Sequence, residues 1–203
     1  MKRSLLFVLA LCLALGFSLV SPMGEARAQD INLPEPTKTG GLPIMESLAK
    51  RKSFRNVRPE ALSVQQISDI LWAAFGVNRP DGKRTIPTSH GNNELAVYAV
   101  LASGVYLYDA PNNKLIKVLN GDRSGDFRGA PLTLLFASTA NGPVGGFHVG
   151  SAYQNVGLYC AANQLANVVT TTGVAALKDE LKPDNDWIIL AVQSIGYPAG
   201  SDF

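Results

Sequence analysis

The stretch that decides the fold is LAVYAVLASGVYLYDAPNNKLIKVL, residues 95–119. Its apolar and aromatic residues fall into three runs, at 95–102, 105–109 and 115–119, and such runs are typical of β-strands. The turn sequence Asp-Ala-Pro-Asn-Asn at 109–113 separates the second run from the third. Short strands joined by turns rich in Gly, Pro and Asn predict an antiparallel meander of three strands.

Two helices are predicted before this meander. Ser63 and Gln66 form a capping box that opens the second helix, in which apolar residues recur at helical spacing until Gly76. The first helix is shorter and covers 43–51. Residues 29–42 are rich in Pro and Gly, and we interpret them as an extended arm that either wraps a partner subunit or lies free.

The elements after the meander complete an α+β fold. A fourth strand at 131–138 is apolar on both faces and is expected to be central. Residues 148–169 predict a long helix that is apolar almost all round, and such a helix belongs in the core or in a subunit interface. A short helix at 175–181 and a buried strand at 187–195 follow. This order predicts a mostly antiparallel central sheet flanked by helices, rather than regular βαβ alternation.

Residues 1–28 have the composition of a cleavable secretory signal peptide. A positively charged start precedes an apolar run at 5–20, and Ala-Arg-Ala at 26–28 is an A-x-A cleavage site. The apolar run is shorter than the ~20 residues of a membrane span, so an uncleaved anchor is the less favoured alternative. We therefore predict an exported protein, periplasmic or secreted, that begins at Gln29, has its domain at 43–203, and makes no membrane contact after cleavage.

Composition narrows the classes of partner. The chain has 203 residues, with 18 basic and 16 acidic side chains, and most of the basic excess lies in the signal segment. A nucleic-acid partner is therefore not predicted. Cleavage leaves about 175 residues, enough for one domain with a substantial core. It also leaves Cys160 as a lone thiol, which cannot form an intramolecular disulfide and is expected to be buried.

A cluster of cations follows the first predicted helix. No acidic residue interrupts it before Glu60, and its members are Lys50, Arg51, Lys52, Arg55 and Arg58, with Ser53 among them. Guanidinium groups together with a hydroxyl are suited to binding a phosphate monoester. A solvated basic turn at a helix C-terminus explains the same composition, and the cluster alone does not separate these two interpretations.

A second polar segment, 78–94, lies between a predicted helix and a predicted strand, where binding loops are common. It contains His90, which lacks the Cys or carboxylate spacing of a metal site, so no metal ligand is predicted. His148 is interpreted as a polar residue near a helix N-terminus. The sequence contains no P-loop, no G-x-G-x-x-G and no G-x-S-x-G motif.

Several short motifs together resemble the nitroreductase family. Residues 51–55, RKSFR, resemble the R-[RKH]-S-x-[RK] motif that opens its domains. The branch that includes the SagB-type dehydrogenases is similar in further segments, which follow in the family's order across roughly 43–198: LWAAFGVNR at 71–79, RTIPTS at 84–89, GVYLYD at 104–109, Gln-Asn at 154–155 and GYP at 196–198.

The resemblance implies a homodimer with two FMN sites at the subunit interface. It implies that the flavin carries the chemistry, that no side chain is itself catalytic, and that a reduced donor such as NAD(P)H passes electrons through the flavin to a quinone, a nitroaromatic or a similar acceptor. The implied cofactor-binding residues are Arg51, Lys52, Ser53, Arg55, Arg84, Pro87, Thr88, Ser89, Thr172 and Gly173. The implied substrate-binding residues are His90 and Asn92.

One departure from the family concerns the phosphate. Relatives often place a cation shortly after GYP, whereas this chain ends Ala-Gly-Ser-Asp-Phe at 199–203. Phosphate binding then depends more heavily on Arg51, Lys52 and Arg55. The alternative function is a flavin-binding, electron-carrier or interaction protein with little turnover of its own.

Overall fold

The computed structural model describes residues 29–139, 142–175, 177–181 and 187–200, and the signal peptide predicted at 1–28 lies outside them. Within these residues, seven strands form one sheet in the order β1-β4-β3-β2-β5-β7-β6, and every neighbouring pair is antiparallel. The predicted α+β class is confirmed. The strands are β1 (Ile31–Asn32), β2 (Ala96–Leu101), β3 (Gly104–Asp109), β4 (Lys114–Asn120), β5 (Leu132–Ser138), β6 (Ala166–Thr170) and β7 (Ile188–Gly196), and the helices are α1 (Ile44–Lys50), α2 (Val64–Phe75) and α3 (Pro143–Ala162).

The predicted meander is strands β2, β3 and β4, and it is confirmed. Tyr98 pairs with Leu107, and Leu107 pairs with Ile116 across the next strand. The fourth strand, β5, is buried at every residue and lies between β2 and β7. Its apolar residues on both faces therefore indicated its central position correctly.

Helix α2 begins and ends as its sequence signals predict. The side chain of Ser63 accepts from the backbone N–H of Gln66, and the side chain of Gln66 accepts from the backbone N–H of Ser63. At the other end, a Cβ atom on Gly76 would collide with the side chain of Trp72. The Trp72 indole N–H donates to the carbonyl of Val77 at 3.0 Å, which fixes the exit of the chain.

The prediction of one helix over 148–169 is wrong at both ends. Helix α3 begins at Pro143, a residue favoured at the first helical position, and ends at Ala162. Gln164 has a left-handed backbone (φ 56°), which terminates the helix, and β6 follows and pairs with β7. The apolar run thus contains a strand, because buried helices and buried strands have the same composition over a short stretch.

The helix predicted at 175–181 is also not found. The described residues there form turns, in which the N–H of Leu181 donates to the carbonyl of Leu177 at 2.8 Å. Leu177 and Leu181 are buried against the face of the sheet away from the helices. Arg123 binds the nearby Glu180 at 2.6 Å, so tertiary contacts determine the path of this segment.

The arm at 29–42 is held by its own chain over its first half. Strand β1 pairs with β4, and the Asn113 amide donates to the carbonyl of Pro34 at 2.7 Å. Asp69, buried on α2, accepts from the backbone N–H of Thr37 at 2.7 Å. The arm therefore connects the edge of the sheet to α2.

The helices cover one face of the sheet, and the main core lies between the helices and that face. None of the helices among the described residues combines the length and apolar character needed to cross a bilayer. Cys160 on α3 is fully buried in this core, as predicted. Burial raises the pKa of its thiol, because the thiolate would lose its hydration there.

Candidate functional site

The cation-rich segment 51–58 is an extended strip beside the last two strands. The Phe54 N–H donates to the carbonyl of Asn167 at 2.8 Å, and the Arg58 N–H donates to that of Tyr197 at 2.8 Å. The N–H of Ala199 donates back to the carbonyl of Asn56 at 2.9 Å. These backbone bonds hold the strip against β6 and the chain after β7.

The side chains of the strip differ in their surroundings. Arg58 forms an ion pair with Glu60 at 3.3 Å and stacks over the ring of Tyr197 at 5.3 Å. Among the described residues, neither Arg51 nor Arg55 has an acidic partner. Arg51 is half-buried, whereas Lys52, Ser53 and Arg55 are exposed. The Lys52 ammonium lies 5.8 Å from the ring centroid of Phe54.

Arg51 marks one end of a seam between α3 and β6. A Cβ atom placed on Gly157 of α3 would lie 3.7 Å from Cδ of Arg51 and 3.7 Å from Oδ1 of Asn167 on β6. The stem of Arg51 therefore crosses α3 where the helix has no side chain. The stem holds the guanidinium beside the seam, where the described part of the chain places no carboxylate against it.

A cavity of about 570 Å³ opens further along the same seam. We call it the α3–β6 cavity. A Cβ atom on Gly146 would meet no atom within 4 Å, so the helix leaves this part of the seam open. Its lining is mostly apolar, with hydroxyls only on the Tyr and the two Thr residues: Gly142, Gly146, Val149, Tyr153, Val169, Thr170, Thr171, Leu190 and Ala191.

Sequence reasoning missed the glycines of α3. Gly146, Gly150 and Gly157 are spaced by four and seven residues, which places them on one stripe of a helix. Each glycine in a helix interior costs about 0.5–1 kcal/mol relative to alanine. The spacing was available in the sequence, but the strand hidden in the apolar run concealed what this stripe faces.

The loop with the other predicted site residues lies against a different side of α3. Thr85 is anchored by its N–H to the carbonyl of Gly76 at 2.9 Å and by its hydroxyl to that of Ala73 at 3.1 Å. The backbone N–H of Ser89 donates to Nε2 of His148 at 2.8 Å. His148 is the sixth residue of α3, its side chain is buried, and it accepts a hydrogen bond from this loop.

The remaining loop residues point mostly outward. Thr88 and Ser89 are half-buried, and Pro87, His90 and Asn92 are exposed. His90 has a left-handed backbone (φ 53°) in the short 3-10 turn that ends the loop. Polar side chains are thus displayed on the surface that borders α3.

Arg84 lies apart from the cations of the strip. Its guanidinium stacks on the ring of Phe75 at 4.9 Å, and its Nε and Nη1 atoms are buried without a hydrogen-bond partner among the described residues. Burial lowers the pKa of Arg84, and the nearby Tyr108 and Asp109 oppose that shift. The structure does not bring Arg84 together with Arg51 within one chain.

Thr172 and Gly173 follow β6 directly and continue from the α3–β6 cavity. The backbone N–H of Thr172 donates to the hydroxyl of Thr170 at 2.8 Å. Gly173 has φ 88°, and a Cβ atom there would lie 3.0 Å from the ring of Phe127. The turn requires glycine for two reasons, its positive φ and the close approach of the Phe127 ring to its backbone.

The two groups of predicted site residues flank α3 from different sides. Gly157, under Arg51, is nine residues from His148, under the loop, and at 3.6 residues per turn they lie about half a turn apart. Between them, α3 presents Phe147, whose side chain is 68% exposed, followed at helical spacing by the half-buried Ser151, Gln154 and Leu158. Within one chain, the strip and the loop do not meet.

Helix α1 carries further exposed apolar side chains. Ile44 and Met45 are 59% and 72% exposed, and α1 packs directly against α3. We call Ile44, Met45, Leu48 and Phe147 the apolar face. Large exposed apolar side chains on two packed helices favour an interaction surface here.

In the part of the chain that the structure describes, no three His, Cys, Asp or Glu side chains lie close enough together to hold a metal ion. What the site offers is cations beside an apolar cavity. Such a site suits a ligand with an anionic end and a flat apolar end.

Comparisons with known proteins identify the family of the fold. A protein from Ralstonia eutropha JMP134 that is assigned as a nitroreductase has 33% identity and a TM-score of 0.77, over 85% of this chain and 91% of that one. A similarly assigned protein of Methanocaldococcus jannaschii is 26% identical over 124 residues. That match spans 58% of this chain and 60% of the relative, which is less than two thirds of its length.

A third relative shows the fold alone. The structure of a Desulfovibrio desulfuricans protein assigned as a nitroreductase, solved in complex with FMN, has 20% identity and a TM-score of 0.56, over 81% of this chain and 92% of that one. No family model matches the chain.

Fold, site and relatives define the class of protein, that of the nitroreductase-like oxidoreductases. The identity and coverage of the Ralstonia structure are high enough to make the assignment specific. The chain belongs to the nitroreductase family.

Proposed function

We propose that this protein is an exported FMN-dependent oxidoreductase that works as a symmetric homodimer. The observation that carries the proposal is Arg51, which has no carboxylate partner among the described residues and lies over Gly157 on the seam of α3 and β6, along which the cavity opens. FMN, when bound, supplies a ring that accepts electrons from a reduced donor and returns them to an acceptor. The chain supplies binding, orientation and exclusion of water.

The strip would hold the phosphate. Arg51 and Arg55 offer forked N–H donors, and Lys52 and Ser53 add a cation and a hydroxyl on the same extended backbone. Arg58 is already engaged by Glu60 and Tyr197, so it is less available than Arg51 and Arg55. The strip thus offers two guanidinium groups, an ammonium and a hydroxyl to a dianionic phosphate.

The α3–β6 cavity would hold the ring. Its walls are aliphatic and aromatic side chains, its floor is opened by Gly142 and Gly146, and Thr170 and Thr171 provide hydroxyls at its rim. The chain continues from that rim through Thr172, whose N–H is already donated to the Thr170 hydroxyl, to Gly173, whose backbone N–H would face a polar edge of the ring. Donors in such positions stabilise negative charge that develops on a bound group.

A homodimer would complete the site. Because the strip and the loop flank α3 on either side of Phe147, a second copy docked over Phe147 would bring its loop toward the strip of the first. The loop residues Pro87, Thr88 and Ser89, with His90 and Asn92, would then border the open side of the cavity. Burial of Phe147 and its neighbours would supply the driving force.

The donor and the acceptor are small redox molecules in this proposal. We infer that NAD(P)H or another reduced donor and a quinone or nitroaromatic acceptor use the same exposed cavity in turn. The proposed export places the mature chain, from Gln29, in the periplasm or outside the cell. Mass spectrometry of the protein recovered from that compartment would give the mass of 29–203 if cleavage is as proposed.

The first test is FMN binding by the purified mature protein. We expect a flavin absorption spectrum, and Arg51→Ala or Arg55→Ala should weaken FMN binding by about 1.5–3 kcal/mol, the worth of a hydrogen bond to a charged group. Arg58→Ala is the matched control, since its guanidinium is already occupied. Titration of FMN fluorescence measures all three affinities.

The outcomes separate the candidate functions. Unchanged affinity in both the Arg51 and Arg55 variants would overturn the assignment of the phosphate site. Bound FMN without turnover, when NADH or NADPH is supplied with menadione or a nitroaromatic, would favour an electron carrier over an enzyme. A colourless protein after soaking with FMN would leave only an interaction role for this fold.

A further inference from the structure

We propose that His148 is a positioning residue, which fixes the loop at 87–89 in the shape that completes the flavin site. This inference rests on the proposed function, in which that loop faces the cavity of the other subunit. In this proposal, α3 lines the seam of its own subunit and also holds the loop at 87–89 of the same subunit, which completes the site of the other subunit.

The bond between His148 and the loop is specific. The imidazole is 2% exposed, and its Nε2 atom accepts from the backbone N–H of Ser89 at 2.8 Å. Because a backbone N–H can only donate, Nε2 carries no proton, and the ring is the neutral tautomer with its hydrogen on Nδ1. The loop therefore depends on an acceptor at this position and not merely on a side chain of similar size.

The rest of the loop has few other tethers. Thr85 is anchored to α2 before the loop, and the carbonyl of Glu94 accepts from the hydroxyl of Ser138 at 2.6 Å after it. Among the described residues, the bond to His148 is the one hydrogen bond that joins 86–93 to an element outside the loop. Removing it leaves the buried side chain of Ile86 and the short 3-10 turn to determine the loop's position.

The Nδ1 atom of His148 indicates that the residue does not serve packing alone. Nδ1 is buried and has no hydrogen-bond partner among the described residues. An unpaired buried donor costs free energy, and an apolar side chain at this position would avoid that cost. The histidine is a poor choice for packing alone, and its useful interaction is the one with Ser89.

Hydrogen exchange on the full mature protein tests the tether directly. In His148→Leu, we expect peptides that cover 86–93 to exchange on the order of tenfold faster than in the wild type, since one hydrogen bond has been removed. In His148→Gln, the amide oxygen can still accept from Ser89, and exchange should stay near the wild-type rate. Equal exchange in all three proteins, or equally fast exchange in both variants, would overturn the proposal.

Flavin affinity provides the functional readout. His148→Leu should raise the Kd for FMN on the order of tenfold. His148→Gln should bind FMN with nearly the wild-type Kd. If wild-type protein binds no FMN, the proposed function fails, whereas the exchange experiment still decides whether His148 holds the loop. If FMN binds equally well to His148→Leu while its loop exchanges faster, the loop does not serve the flavin site and the positioning role is wrong.

A mixed dimer tests whether the loop serves the neighbouring site. One subunit would carry Arg51→Ala and a distinguishable tag, and the other would carry His148→Leu. If the loop acts on the other subunit, one of the two sites combines an intact strip with an intact loop, and the mixed dimer retains one high-affinity FMN. If the loop acts within its own subunit, both sites are damaged, and recovery of no high-affinity FMN would overturn this part of the proposal.

Discussion

Asp69 joins three parts of the molecule through one buried carboxylate. It accepts from the backbone N–H of Thr37 at 2.7 Å, from the Gln65 amide at 2.9 Å and from the Tyr159 hydroxyl at 3.2 Å. The N-terminal arm, α2 and α3 therefore meet at this residue. Burial raises the pKa of Tyr159, and the charge of Asp69 raises it further, so the phenol remains a donor.

We predict that Asp69→Ala lowers the free energy of unfolding by about 1–3 kcal/mol, because three donors lose one buried, charged acceptor. Chemical denaturation measures the change. Asp122→Ala is the control, since the exposed Asp122 also accepts from a backbone N–H, that of Ser124 at 2.8 Å, and should cost less. Equal losses in the two variants would contradict a special role for Asp69.

Cys160 provides a test of core burial that depends on pH. Because the pKa of the buried thiol is raised, the unfolded chain ionises first, near the usual value of about 8.5. Stability due to this group is complete below that pH and is lost above it, by about 1.4 kcal/mol per pH unit until the folded pKa is reached. Wild-type protein should therefore lose more stability than Cys160→Ala between pH 8 and pH 10 (roughly the window set by the unfolded thiol).

The same burial predicts that Cys160 reacts slowly with a thiol reagent under native conditions. Denaturant should release the reaction, because the thiolate forms only when the thiol is exposed. Rapid labelling of the native mature protein would show that α3 opens readily or that the thiol is accessible.

At the scale of elements, α3 is the helix on which the site depends. One side packs on the core, one side carries the glycine stripe beside the seam, and one side bears the exposed Phe147. Composition alone predicted an apolar helix that must be buried on all sides. Burial all round is not achieved within one chain, which leaves the interface interpretation for the exposed side.

Two substitutions of Gly146 should affect different properties, namely stability and FMN binding. Gly146→Ala should raise the free energy of unfolding by up to about 1 kcal/mol, because a helical glycine is replaced and the new Cβ meets no atom within 4 Å. Gly146→Leu should keep the fold but fill part of the α3–β6 cavity, so FMN should bind at least about tenfold more weakly. Thermal unfolding and FMN titration separate the two effects.

The Ala variant serves as the control for the Leu variant, since both remove the glycine. If both variants bind FMN as tightly as the wild type, the cavity beside Gly146 does not hold the ring.

At the scale of the whole molecule, the apolar face makes the oligomeric state testable. Phe147→Glu should convert the proposed dimer into a monomer, because a charge would be buried in the interface without a partner. The monomer should also lose FMN affinity, since the strip and the loop of one chain do not meet. Size-exclusion chromatography with light scattering measures the mass, and FMN titration measures the affinity.

Val64→Glu is the matched control, because Val64 is also an exposed apolar residue, 50% exposed, but lies on α2. It should leave mass and affinity unchanged. A Phe147→Glu protein that stays dimeric and binds FMN normally would place the interface elsewhere.

The sequence predicted the parts of the fold that depend on neighbours in the chain. The capping box of Ser63 and Gln66 and the turns of the meander are local signals, and the structure has them where they were expected. The boundary between α3 and β6 was not predictable in this way. Val168 and Val169 form a strand because β7 offers them a pairing partner, and β7 lies about 20 residues further along the chain.

For the candidate site, the sequence supplied the residue types and the tertiary structure supplied their arrangement. Local chemistry identified the cations of 51–58 and the polar loop after α2, since charge and hydrogen-bonding capacity belong to side chains themselves. Packing decided that α3 separates the two groups, that Arg84 stacks on Phe75, and that a buried histidine holds Ser89. The chemistry of each side chain follows from the sequence alone. The grouping of side chains on one surface depends on contacts between residues that lie far apart in the sequence.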